Sequence, residues 1–561
     1  MHTVWRVHPA DPERARSLAG ALGLHPMAAQ LLLNRGLGDP AKASAFLRPT
    51  LDSLGDPSKL PDMDRAIARL RQAIARRESI LIFGDSDVDG LTASAILYEA
   101  LRDLGAAVRV RHSNRIADGY GLPAAAVRQL TRSAMKLLVL VDCGTNQADE
   151  VESLRAHGID TIIVDHHLPL ERWAAPYAFV NPKRGQGPGQ ELCSAGLAFK
   201  VAQGLLGTSG RSRLSAYLDL AALGTLADYS PLTGDSRIIV TEGLPRIVRS
   251  LRPGLRRLCQ ATRTSNPEPE SILRGLVPRL NASGRLGDPS SVWKLLVSGE
   301  GEPLDEWLAD AAAAHTTTRG LHRRIVAEAE AQVSRLHFRD QYVVVVSGQD
   351  WHQGLMGPLA SRLAQRYGRP AIALALGERQ GIGSGRSIPL YNLLEALQAC
   401  QDLLLRFGGH AQACGLTVDR SHLEPFRAQV NQHAKLALGP EGLLRTRQID
   451  LDVSLSELEA GWIEQAQGFA PFGQENPRPA VIIRRVLVES VSPRTTVLSD
   501  GTRRVAVRGR KLDGIRGWCD VVASPALDED ELVLTVSDVR GAGEPSALAR
   551  TSSSSCRPGR A

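Results

Sequence analysis

The sequence predicts an α/β protein: a parallel-sheet domain and a second α/β domain joined by a long helix, followed by an OB-type β-barrel. Three observations carry this. Short apolar runs that end on an acidic residue alternate with helical segments from residue 80 to about 240. The stretch 304–336 reads as one long helix, interrupted at Gly320, roughly 50 Å in length at about 1.5 Å per residue. From residue 446 the chain shifts to short β segments, five of them. At 561 residues the chain exceeds what one core can serve. The expected division is a helical accessory segment over 1–75, a first α/β domain over 76–303, the connecting helix over 304–336, a second α/β domain over 337–440, the β domain over 441–545 and a disordered tail over 546–561.

Composition sets outer limits. The chain is 43% hydrophobic and 23% charged, as globular proteins are, with 67 Lys and Arg against 60 Asp and Glu and a pI near 9.1. That balance permits a polyanionic partner without requiring one. The opening MHTVWRVHPADPERA has no apolar signal core, and no run approaches the length of a membrane span. Seven cysteines stand scattered without a C-x-x-C pair, which fits reduced thiols and a cytoplasmic location rather than a disulfide framework or a zinc site.

The organising stretch is ILIFGDSDVDGLTASAILYEALRDLG, residues 80–105. Ile80 to Phe83 read as a buried strand, Gly84 as a turn, and Leu91, Ala95, Leu97, Ala100, Leu101 and Leu104 as a helix stopped at Gly105. Between them stand Asp85, Asp87 and Asp89. A calcium loop of the EF-hand kind would need Glu at its twelfth position, which here is Ile96. The strand-then-acid theme recurs: Leu137–Val141 ends at Asp142, and Thr161–Val164 ends at Asp165-His166-His167. AYLDLAALGTLADYSPL reads as a helix with Asp228 near its end. Parallel strands share one carboxyl edge, so Asp87, Asp89, Asp142 and His166 converge there, within reach of Asp228. Hard carboxylates with imidazole suit Mn²⁺ or Mg²⁺, and paired ions serve displacement at phosphorus. Further along, Arg279 and Arg285 in PRLNASGR are expected on a loop with phosphate contacts. The GSGRS segment, 383–387, is expected to hold a phosphate through backbone N–H groups, Ser384 and Arg386. The β segments after 446 carry Arg484, Arg485, Arg503, Arg504, Arg508 and Arg510, a basic surface for a single strand with few aromatics to stack on.

DSDVDG, LVDCG, VDHHLP and LGTLADYSPL resemble the four motifs of the DHH phosphoesterase superfamily. NRIADGYGL, PRLNASGRLGDP, DWHQGLMGPLASRL, GSGRS and GGHAQACGL are similar to segments of the RecJ family within it, a likeness running from about residue 30 to 545. Phe83 stands where many DHH enzymes carry His, which leaves Asp85 or water to complete the first metal shell. The resemblance implies a parallel-sheet DHH domain, a DHH-associated domain that binds substrate, and a 5′→3′ exonuclease for single-stranded DNA. Two Mn²⁺ ions, with Mg²⁺ as the alternative, would lie among Asp87, Asp89, Asp142, His166 and Asp228, with Asp142 bridging. Asp85, Asp165 and His167 would complete the catalytic set, Asp165 orienting His166 and His167 touching the scissile phosphate. Arg115, Ser384 and Arg386 would hold the 5′ phosphate, and His410 would face the substrate. A hydroxide would attack the first internucleotide phosphorus and release 5′ mononucleotides. A monomer is expected, with a single-strand-binding protein and a RecQ-type helicase as partners in recombination and repair. Two other readings are a nuclease for very short oligonucleotides and a DNA-binding scaffold. The β region and length argue against the first, and the retained acids and histidines against the second.

Overall fold

The computed structural model describes residues 3–542 apart from 171, 208–209, 493–494 and 510. Arg510 and the expected tail, 546–561, therefore lie outside the described residues. The chain forms two units, Thr50–Leu444 and Met1–Pro49 with Arg445–Ala561.

In the larger unit, five parallel strands lie in the order Ala107–His112, Ser79–Gly84, Leu137–Val141, Asp160–Val164, Ala178–Val180. The chain runs from Ser79–Gly84 to one side and then crosses to the other, so the strand order reverses between Ser79–Gly84 and Leu137–Val141 while all strands stay parallel. This is the switch point at which open α/β sheets leave a crevice at the strand ends. Asp85 and Asp142 are the first residues beyond those two strands. Alternate side chains face opposite layers. Ile80, Ile82, Val139 and Val141 pack with the helices Val88–Asp103, Ser194–Leu206 and Leu218–Ala227, while Phe83, Leu138 and Leu140 pack with Ala124–Thr131 and Ala148–Ala156. Phe83 is thereby a core residue on the layer away from the helix that starts at Val88.

Leu304–Val333 is one continuous helix of 30 residues, about 45 Å. It is not interrupted at Gly320, where a Cβ would meet open space and helical geometry is undisturbed. Beyond it, a mixed sheet has the order Leu404–His410, Ala413–Asp419, Gln380–Arg386, Ala371–Leu376, Val344–Gln349. The GSGRS segment differs from expectation. It is no open loop but part of the strand Gln380–Arg386, paired on both sides, so its backbone N–H groups serve the ladder. Glycine is required by packing: a Cβ at Gly383 would lie 2.2 Å from the Ala373 carbonyl. PRLNASGR likewise is not a loop but the helix Val277–Leu286, stopped by Gly287 at φ +110°.

In the smaller unit, Val481–Ser492, Thr495–Ser499, Arg504–Arg508, Glu531–Gly541 and Gly517–Asp528 pair in sequence, and the last pairs back to the first. The ring of pairings is OB-type. Its five strands differ from the five β segments of the sequence, RQIDLDVSL, AVIIRRVLVESV, RRVAVRGR, CDVVAS and ELVLTVSDV. Arg445–Ile449 lies outside the ring and pairs in parallel with Thr3–Val7, while Thr495–Ser499 joins it. Residues 3–49 accordingly belong with the C-terminal β region, not with the helix Met63–Ala75, so the expected accessory segment over 1–75 is two separate pieces. Much of the arginine charge here is spent internally. Arg484 pairs with Asp452 at 2.8 Å, Arg504 with Glu489 at 2.7 Å, and Arg508 with Asp528.

Candidate metal centre

The acids gather where the sequence placed them, and each is held by a different device. Asp87 caps the helix Val88–Asp103: its Oδ1 accepts from the N–H groups of Asp89 at 3.1 Å and Gly90 at 3.2 Å. Asp89 sits in the first turn and points at the start of another helix, Ser194–Leu206, accepting from Ser194 N at 2.9 Å and Ala195 N at 2.8 Å. Asp142 adopts φ +60°, a left-handed turn that Asp tolerates better than most residues, and accepts from Ser194 Oγ at 2.9 Å. Asp228 caps the end of Leu218–Ala227 and accepts from Ser230 Oγ at 2.8 Å. His166 Nε2 lies 3.4 Å from Asp142, 3.8 Å from Asp89 and 3.8 Å from Asp228.

This donor set fits a divalent cation. Ligand atoms of Asp89, His166 and Asp228 lie within 4.8 Å of one another, as do those of Asp85, Asp87 and Asp142, and those of Asp142, Asp165, His166 and His167. Burial, then the charge of Asp228, pushes the Asp89 carboxyl up to about 7. Burial and the charges of Asp89 and Asp87 raise Asp142 well above the usual carboxylate range. The His166 ring is pushed down by burial and stays neutral, as a ligand must be. Such an excess of buried negative charge is what a bound cation relieves.

A pH dependence follows. Asp89 carries a proton below pH 7, and a cation must displace it. Because Asp142 is raised as well, Mn²⁺ affinity is expected to rise with pH by at least about tenfold per unit below 7 and to go on rising above it. Calorimetric titration of the protein with Mn²⁺ from pH 5.5 to 8.5, roughly spanning that value, checks this; a flat profile would contradict it.

Asp85 and Asp165 have other duties. Asp85 is wholly buried and accepts from Ser86 N at 2.7 Å, Ser113 Oγ at 2.6 Å and both Nε and Nη2 of Arg115. Burial opposes its ionisation, but the Arg115 charge and these donors hold its carboxyl below the ordinary range. Asp165 does not bond the His166 ring. It accepts from His167 Nδ1 at 2.7 Å, Thr145 Oγ1 at 2.6 Å and the His166 N–H at 2.8 Å. Burial works against its charge too, and the His167 ring and these bonds still pull it well below the usual range. It therefore orients His167 directly and His166 only through the backbone.

The second α/β region closes on this edge. His410 stacks on His167 with ring centroids 5.4 Å apart and 21° between planes. Burial, then the nearby His167, lowers His410 to about 4. Gln353 Nε2 donates to the Ile116 carbonyl at 2.9 Å, and Gly354 approaches Arg285 so closely that a Cβ would lie 2.2 Å from its carbonyl. Arg386 Nη1 donates to Ser384 Oγ at 2.8 Å and to the Gly385 carbonyl at 2.8 Å. Burial lowers both Arg285 and Arg386, and each is lowered further by Arg115. The charges of Arg115, Arg285 and Arg386 thus act on one another, with Asp87 acting on Arg285 and bonded to Arg115. Arg279 donates to the Gly275 carbonyl at 2.6 Å, and it and Arg285 both act on His315. Arg115, expected to hold the 5′ phosphate, is bonded to Asp85 and to Asp87, the latter at 2.9 Å.

Several contributors have no motif of their own. Ser194 serves Asp142 and opens the helix that receives Asp89. Asn181 Nδ2 donates to Thr145 Oγ1 at 3.0 Å and to the His167 carbonyl at 2.8 Å. Tyr120 donates to the Asp142 carbonyl at 3.0 Å and lies 3.1 Å from His167 Nδ1. Asn281 accepts from Val88 N at 3.1 Å. Tyr120 and Asn281 stand inside the recognised segments NRIADGYGL and PRLNASGR, whereas Ser194 and Asn181 lie in no motif.

A parallel sheet whose switch point gathers carboxylates and a His-His pair, followed by a second α/β region facing them, defines a DHH-type phosphoesterase. Residues 79–225 match the DHH family, N-terminal domain, and residues 340–436 match the DHHA1 domain. The chain belongs to the RecJ family. It is 33% identical over 554 residues to the single-stranded-DNA-specific exonuclease RecJ of Dickeya dadantii, covering 91% of this chain and 93% of that one. The RecJ of Bacillus subtilis is 33% identical over 493 residues, which are 87% of this chain but only 62% of that longer relative. The crystal structure of RecJ from Thermus thermophilus in complex with Mn²⁺ matches with a TM-score of 0.81 and 27% identity, over 96% of this chain and 80% of that one.

Proposed function

We propose that this chain is a metal-dependent exonuclease that degrades single-stranded DNA from its 5′ end and releases 5′ mononucleotides. The observation that carries the reading is the cluster of Asp87, Asp89, Asp142, His166 and Asp228, together with three arginines whose charges act on one another. When bound, divalent cations supply Lewis-acid stabilisation of the phosphodiester and an activated water; two Mn²⁺ ions are the assignment, with Mg²⁺ as the alternative. The protein's own groups then divide the work. His167, held by Asp165 and Tyr120, contacts the scissile phosphate and keeps its ring in one orientation. Arg115, Arg386 and Ser384 hold the terminal 5′ phosphate, and Arg285 adds charge beside them. His410, stacked on His167, closes the substrate side. We assign a role in recombination and repair, a monomeric state, a cytoplasmic location and partnership with a single-strand-binding protein and a RecQ-type helicase as part of this reading. No described helix is long and apolar enough to cross a membrane.

The test uses the full chain with Mn²⁺ and a long single strand labelled at its 3′ end, beside a blunt duplex of the same sequence. Progressive shortening from the 5′ end with mononucleotide release and an intact duplex is the expected result. Shortening from the 3′ end, or binding without cleavage, would overturn the proposal.

A further inference from the structure

Asp85, like Asp165, is wholly buried, and its acceptor capacity is already filled by the protein. Its Oδ1 takes Ser86 N, Ser113 Oγ and Arg115 Nε, and its Oδ2 takes Arg115 Nη2. A carboxylate offers about four lone-pair sites, so little is left for a cation. Asp87 is the reverse. Its Oδ1 is spent on the helix cap, but its side chain is 39% exposed and its Oδ2 touches only Arg115 Nη2, at 2.9 Å, among the described residues. Arg115 is the link between them. Its Nε–Nη2 edge is locked on Asp85, its Nη1 has no partner among the described residues, and its side chain is 42% exposed. The Tyr120 ring lies 5.7 Å from its guanidinium carbon.

We propose that Asp85 is the anchor of Arg115 rather than a cation ligand, and that Arg115 and a divalent cation share Asp87, so that cation binding and 5′-phosphate binding strengthen each other. The proposal rests on the assignment of Arg115 to the 5′ phosphate. The outward Nη1–Nη2 edge of Arg115 matches a phosphate held through two oxygens, but Asp87 occupies Nη2 and repels an approaching anion. With Asp87 Oδ2 turned to a bound cation, Nη2 of Arg115 would be free for the phosphate and the repulsion would be removed. A phosphate that takes Nη2 in turn releases Asp87 to the cation. Linkage makes the two effects equal in size. Asp85 is a positioning residue in this arrangement: it keeps Arg115 in place while Asp87 changes partner.

The experiment measures binding, not turnover. The probe is a single strand whose first linkages are uncleavable methylphosphonates, with either a 5′ phosphate or a 5′ hydroxyl, followed by fluorescence anisotropy in Mn²⁺ or in chelator. The preference for the 5′ phosphate is expected to grow about tenfold on adding Mn²⁺, and calorimetry should show Mn²⁺ binding tightened by the same factor only with the phosphorylated strand. An equal preference in both conditions overturns the coupling. No preference in either condition overturns the 5′-phosphate assignment itself. Asp85→Asn is expected to lose most of the preference while its Mn²⁺ affinity without DNA shifts less than about threefold. A loss of tenfold or more, about 1.4 kcal/mol, would make Asp85 a ligand and overturn its role as anchor. Should that variant fail to fold, Arg115→Lys serves: the Mn²⁺-dependent gain should fall while Mn²⁺ affinity without DNA holds or tightens. A weakened affinity there would overturn the sharing of Asp87.

Discussion

Asp142→Asn is expected to lower cleavage of single-stranded DNA by at least about a thousandfold, ~4 kcal/mol of transition-state stabilisation, with the fold retained. Asp142 belongs to two of the three groups of potential cation ligands and lies 3.4 Å from His166, so no other acid is as central. Asn removes the charge at nearly constant shape. It also tolerates the left-handed backbone at φ +60°, which Ala would hold at a cost of about 1–2 kcal/mol. Losing a buried carboxylate held well above its usual range should also stabilise the cation-free protein at neutral pH. The sign is clear: a raised carboxyl costs stability as pH rises above its unfolded value, and Asn has no such cost. Single-turnover cleavage and thermal unfolding in chelator check both halves. Near-normal cleavage would remove Asp142 from the centre.

Gly284→Val is the second large effect, and it acts through packing. The helix Val277–Leu286 presses on the acidic loop so closely that a Cβ at Gly284 would lie 2.2 Å from the Ser86 carbonyl. Backbone on both sides leaves no side chain to swing away. Overpacking of this kind costs about 1–3 kcal/mol, and the helix and loop must part to accept it. Parting them breaks the Asn281 acceptor for Val88 N–H, at the start of the helix that carries Asp89. The variant should melt several degrees lower and bind Mn²⁺ at least about tenfold more weakly, while Gly320→Ala, in open space inside the long helix, leaves Mn²⁺ affinity unchanged and raises rather than lowers the melting temperature. Unaltered Mn²⁺ affinity in Gly284→Val would show that the acidic loop does not depend on this contact.

The legible part of the site was local. Asp87, Asp89, Asp142 and His166 each follow an apolar run of parallel-strand length, and parallel strands have no choice but to bring such residues to one edge. The parts that were not legible involve partners distant in sequence. Asp89 meets Ser194, 105 residues away, and Asn281 meets Val88, 193 residues away. Neither Ser nor Asn announces such a role, because a hydrogen bond of that range is set by how helices pack and not by a spacing. The PRLNASGR and GSGRS segments misled for a related reason. Gly usually marks a turn, but Gly284 and Gly383 stand where two backbones approach in a helix and a strand.

By itself, the sequence determined the alternation of strands and helices, the acidic carboxyl edge and the chemistry of its ligands, since these depend on periodicity and on residue type. Tertiary structure alone decided which partner each acid has. It gave Asp85 to Arg115, Ser113 and Ser86, left Asp87 shared, turned Asp165 toward His167, and assigned residues 3–49 to the C-terminal β region. Those outcomes turn on which donor lies within about 3 Å of which acceptor, a distance that no pattern along the chain contains.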